Sequence, residues 1–119
     1  MYLTEKIILD RQLWKFDELD SSLKNKANFW ETTDQWSIET KVNMICIRNI
    51  SENKVLGITA NEEEFEEGNK GQIWIQGQTD IEGYSTLQNS ESFKFLIATS
   101  GKSLDTKSNY KQSNRSIKV

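Results

Sequence analysis

GQIWIQ, Gly71 to Gln76, follows an acidic loop and precedes a turn containing Gly77 and Asp80. It sets the polar Gln72 two residues before Trp74, inside a short alternating run that predicts a strand. The spacing recurs in QLW, Gln12 to Trp14. A longer alignment matches QLWKFDELDSSLKN, Gln12 to Asn25, with QIWIQGQTDIEGYSTLQN, Gln72 to Asn89, once four residues are inserted in the second turn. A third copy, QWSIETKVNMICIRN, Gln35 to Asn49, has Trp directly after Gln and also ends on Asn. Strand-like runs stand near the three Asn positions: NFWETT, NKVLGIT and FKFLIAT. Three copies in so small a chain imply units that share one centre, since none can bury its apolar residues alone. Gln12, Trp14, Gln72 and Trp74 are therefore expected to form recurring structural joints. Each ring would lie in the core and each amide would hydrogen-bond a neighbouring turn.

The rest of the chain agrees with strands. No window of a dozen residues keeps apolar positions at helical spacing without a turn cluster interrupting it. Runs such as RQLWKF, WSIET, MICIRN, QIWIQ, YSTLQN and KFLIAT alternate with Asn, Asp, Ser and Gly clusters, the cadence of an all-β sandwich or barrel. Proline is absent, which suits strands whose backbone donors are used in ladders. The 119 residues fit one domain with one core, and four Trp, five Phe and three Tyr give that core large side chains.

The repeated Q-x-W, each copy followed by a turn, a strand and a leucine-containing hairpin, resembles the ricin B-type β-trefoil family over about residues 7 to 107. The resemblance implies an all-β fold of three pseudo-repeated four-stranded lobes, with residues 1–119 as a single β-trefoil domain. Residues 108–119 are then either closing strands of the third lobe or a frayed tail. It also implies a non-catalytic carbohydrate-binding, lectin-like module with shallow sites on the lobes and a carbohydrate or glycoprotein partner. The family's sugar-binding lobes combine an acidic residue after the hairpin leucine, a stacking aromatic and an Asn beside the Gln of the motif. Here Gly57 follows Leu56, Ile97 follows Leu96, and Arg11 and Gly71 precede the two intact motifs, so no lobe carries the whole set. The alternative implied by those departures is a trefoil protein-interaction or inhibitor module that has lost sugar binding.

On this resemblance the carbohydrate-binding candidates are Trp30 and Glu31 in the first lobe, and Phe65, Asn69 and Gln72 in the second. Tyr110 and Asn114 stand in the third, without a closing Q-x-W. Phe29 and Trp30 point to opposite faces if they lie on a strand, so one is exposed as a stacking platform, a protein contact or an edge residue. The acidic run NEEEFEEG, Asn61 to Gly68, lacks the alternating ligands of a calcium loop and reads as a solvated hairpin with Phe65 tucked in.

Composition bounds the remaining chemistry. A formal charge of −3 disfavours nucleic acid, whose binding rests on basic side chains. Without histidine and with a single cysteine, no zinc site or Cys-His pair is expected. No cofactor is expected and no enzyme. Cys46 alternates within MICIR as a strand residue rather than a nucleophile, and a disulfide-linked oligomer through it is disfavoured. An incomplete third lobe would instead leave a strand edge open to pairing with a second copy, a homo-oligomer. No apolar run approaches the roughly 20 residues of a membrane helix, and the N-terminus does not read as a signal peptide. A cytoplasmic location is the default expectation, with an extracellular one left open.

Overall fold

In the computed structural model, which describes residues 10–17, 19–27, 34–41, 44–99 and 104–108, ten strands form a single antiparallel sheet curled into a half-barrel with an arc of 238°. They are β1 (Trp14–Asp17), β2 (Ser22–Asn25), β3 (Trp36–Lys41), β4 (Met44–Asn49), β5 (Lys54–Leu56), β6 (Glu62–Glu63), β7 (Trp74–Gln78), β8 (Ser85–Asn89), β9 (Phe95–Ala98) and β10 (Leu104–Lys107). The main path runs β10-β9-β8-β7-β4-β5-β6, with β1 joined to β2 and β8 and β3 joined to β4.

Three hairpins share one register. Trp14 faces Asn25 across β1 and β2, Trp36 faces Asn49 across β3 and β4, and Trp74 faces Asn89 across β7 and β8. All six side chains are buried, none more than 3 % exposed. Two residues further along each hairpin the facing pairs are Phe16 with Leu23, Ile38 with Ile47, and Gln76 with Leu87. Because side chains alternate along a strand, these positions point to the same concave side as the tryptophans.

A buried Asn needs partners for its amide, and each has them. Asn25 Nδ2 donates to the Arg11 carbonyl at 2.8 Å, and Asn89 Nδ2 donates to the Gly71 carbonyl at 2.8 Å. Asn49 Nδ2 instead donates to Asp34 Oδ2 at 2.9 Å. The Oδ1 atoms close the following turns by accepting the backbone N–H of Ala27, Glu52 and Glu91 respectively. The tryptophans tie one unit to another. Trp74 Nε1 donates to the Leu56 carbonyl at 3.2 Å and Trp14 Nε1 to the Leu96 carbonyl at 2.9 Å. The core fills in around them with Leu23, Ile45, Ile47, Leu56, Leu87, Leu96 and Ala98.

The β-trefoil expectation fails here. The repeat is real as a Trp–Asn hairpin, but the copies do not close into three separate four-stranded lobes. Ladders run on from one copy to the next, with Ile45 paired to Trp74 between β4 and β7, and Trp14 to Ser85 between β8 and β1. The strands after Asn49 and Asn89 add to the same sheet, β5 beside β4 and β9 beside β8. The ricin B-type resemblance, the lectin-like function and the trefoil inhibitor alternative depended on lobes and fall with them. So does the carbohydrate or glycoprotein partner, since the shallow lobe sites that were to hold it are not built.

Asn89→Ala strips partners from the Gly71 carbonyl and from the N–H groups of Glu91 and Ser92. It is expected to lower unfolding free energy by about 3 kcal/mol in denaturant titration. Gln78→Ala on an exposed position should change it by less than about 0.5 kcal/mol.

Candidate functional site

The concave side of the half-barrel holds a recess of about 350 Å³. Its apolar lining includes Phe16, Leu23, Ile38, Ile45 and Leu87, the inward positions of the three hairpins. Gln76 also lines it, at the position that Phe16 and Ile38 occupy in the other two hairpins. A polar side chain thus replaces an apolar one on the inward face. Gln76 Nε2 donates to Ser85 Oγ at 3.0 Å, and Ser85 lines the recess as well. That bond leaves the Gln76 Oε1 as an acceptor and the Ser85 hydroxyl as a donor. An apolar space with a small hydrogen-bonding edge is the usual make-up of a small-molecule pocket.

Of the residues expected to bind sugar, Phe65, Asn69 and Gln72 do not line this recess. Trp30 and Glu31 fall outside the described residues, as do Tyr110 and Asn114. Asn69 caps the short 3-10 turn Lys70–Gln72, its Oδ1 accepting the Gly71 N–H at 2.9 Å and its Nδ2 donating to Glu66 Oε1 at 3.1 Å. Gln72 is 2 % exposed; its Nε2 donates to Glu63 Oε1 at 3.0 Å and to the Glu64 carbonyl at 2.9 Å. Its Oε1 accepts the Glu66 N–H at 2.8 Å. Both amides are spent on holding the acidic loop, and neither meets Phe65 in a shared pocket. Gly57 belongs to the same arrangement, because a Cβ there would collide with the Glu63 carboxylate. The glycine that breaks the family pattern after Leu56 makes room for the acid that anchors Gln72.

Gln12, Trp14 and Trp74, the other members of the two motifs, are buried, with both rings in the core. Phe65 is not tucked away: it is 47 % exposed, and the Arg48 guanidinium lies 5.5 Å from its ring centroid. Glu39 grips Arg48 from the other side and raises its already high pKa through their hydrogen bond. Sequence reasoning passed over Gln76. The signal was present in the opening stretch, but reading it as an inward substitution requires the register that sets Gln76 opposite Leu87.

Among the described residues no group of three or more His, Cys, Asp or Glu is placed to hold a metal ion. Cys46 is buried in β4, and burial, then the charge of Glu39, push its thiol pKa up against the opposing pull of Arg48. No family model matches this chain, and no curated protein or solved structure matches it either.

Since the thiolate is the reactive form, a raised pKa together with burial makes Cys46 inert. Iodoacetamide at pH 8 should alkylate it at least about tenfold more slowly in the folded protein than in denaturant, as read by intact mass. Equal rates would contradict the buried placement.

Proposed function

We propose that this protein is a non-catalytic binding module that takes a small, largely apolar molecule with one hydrogen-bonding group into the concave recess. The observation that carries the reading is Gln76. Two hairpins put Phe16 and Ile38 at this inward position, and the third puts an amide there, paired with Ser85. Gln76 is exposed, so its amide meets solvent at the rim of the recess and keeps an acceptor there that Phe16 and Ile38 lack. A ligand in the recess can take the remaining Gln76 acceptor and the Ser85 donor at that rim.

Size and lining support the same reading. Small-molecule pockets run from about 300 to 1,000 Å³, so this recess suits a ligand at the small end, such as one substituted ring. Burial of the ring against Phe16, Ile38 and Leu87 would supply most of the affinity, and the Gln76–Ser85 edge would fix orientation. The recess offers orientation and desolvation; binding there needs no bond to be made or broken.

Benzamide and toluene serve as matched probes, with and without a hydrogen-bonding group. Titrated into methyl-labelled protein and followed by NMR, benzamide should shift the methyls of Leu23, Ile38, Ile45 and Leu87 together, and leave exposed Leu19 and Ile50 unmoved. Gln76→Leu should weaken benzamide about tenfold relative to toluene, the value of one hydrogen bond, while changing unfolding free energy by less than about 0.5 kcal/mol. Shifts scattered over the surface, or a preference unchanged by Gln76→Leu, would sink the proposal.

A further inference from the structure

We propose that the concave recess takes a tyrosine side chain carried by an extended segment of a partner protein, which pairs antiparallel with the open edge of β3 at Ile38 and Thr40. The inference rests on the recess being the binding site and names the partner that fills it. β3 pairs with β4 along its whole length, and among the described residues it pairs with no other strand. A strand paired on one side is a template for a further strand, and proteins keep such strands short. β2 and β10 have four residues and β6 has two, whereas β3 has six.

The ladder fixes which backbone groups are offered. The Ile50 N–H donates to the Gln35 carbonyl at 2.8 Å, so Gln35 turns its peptide groups toward β4. Trp36 turns the other way, its N–H donating to the Ser21 carbonyl at 2.8 Å. This orientation alternates along a strand, so the N–H and C=O groups of Ile38 and Thr40 face away from β4. Among the described residues no backbone hydrogen bond reaches either of them from that side. Ile38 is half-buried and Thr40 exposed, which leaves the edge open to an incoming strand.

The same two residues line the recess. A residue of the added strand that lies opposite Ile38 or Thr40 projects its side chain to their face, the concave one. The space there holds one ring, and its lining offers the Gln76 acceptor and the Ser85 donor. Tyrosine meets both demands: its ring is apolar, and its phenol donates to Gln76 Oε1 and accepts from the Ser85 hydroxyl. Pairing of β3 with β3 of a second copy fits less well. That strand brings only Ile38 and Thr40 to the concave face, because Trp36 is committed to the core, and neither carries a ring to Gln76 and Ser85.

The test titrates the full chain with the blocked pentapeptide Thr-Val-Tyr-Val-Thr, followed by methyl NMR, with p-cresol as the free side chain. Both should shift the methyls of Ile38 and Leu87, and the peptide should bind at least about tenfold tighter, because strand pairing adds backbone hydrogen bonds. In antiparallel pairing the tyrosine's own N–H faces β3 and those of the valines face away. Methylating the tyrosine nitrogen should therefore weaken the peptide at least about tenfold, while methylating the following valine nitrogen should not. Phenylalanine in place of tyrosine should cost about tenfold. That difference should vanish in Gln76→Leu, or in Ser85→Ala if the first variant fails to fold by circular dichroism. Binding of p-cresol with no gain from the peptide, or equal weakening by the two methylations, overturns the strand pairing and leaves the recess as a small-molecule site. No shift with p-cresol removes the recess reading and this inference with it. A dimer that the peptide dissociates, read by sedimentation, assigns the edge to a second copy and also overturns the proposal.

Discussion

The fold depends on placing an asparagine opposite a tryptophan in each of three hairpins and then satisfying its buried amide. A buried primary amide without partners costs more than most single contacts contribute, so each copy has to bring a carbonyl or carboxylate to Nδ2 and backbone N–H groups to Oδ1. Arg11, Asp34 and Gly71 supply the acceptors, and the turns after the Asn residues supply donors. This requirement sets the entry to each hairpin and the turn that leaves it at the same time. The Trp14 and Trp74 indoles then bind carbonyls of Leu96 and Leu56, far away in sequence, so local turn chemistry becomes long-range order.

The same arrangement explains where the protein has room to act. Large rings and amides fill the level of the Trp–Asn pairs, while further along the hairpins the inward side chains shrink or turn polar. Thr40 faces Ile45, and Gln78 faces Ser85, at the level beyond Ile38 and Gln76. The concave recess lies where that filling gives out. Gln76, exposed at its rim, puts an amide where the other two hairpins put Phe16 and Ile38.

The Trp–Asn copies were legible in the sequence because tryptophan and asparagine are identities that survive alignment. The way the copies join was not. The contacts of β4 with β7 and of β1 with β8 are backbone ladders, which any residue except proline can make, so no letter marks them. The family resemblance supplied closed lobes where the chain continues one sheet. Phe65 was recognisable as an aromatic in an acidic loop, but its pairing with Arg48 depends on β4 turning that side chain outward. The amides of Asn69 and Gln72 were visible as hydrogen-bonding groups, but not the atoms they meet, Glu66 for Asn69 and Glu63, Glu64 and Glu66 for Gln72. Hydrogen-bonding potential is readable from sequence, but the atom that satisfies it is a matter of three-dimensional proximity.

The most direct test of the account is NMR of the asparagine side-chain amides. Three Nδ2 proton pairs, those of Asn25, Asn49 and Asn89, should exchange slowly with solvent and show cross-relaxation to the tryptophan ring of their own hairpin. Rapid exchange of all asparagine amides, or slow ones linked to the wrong tryptophan, would contradict it.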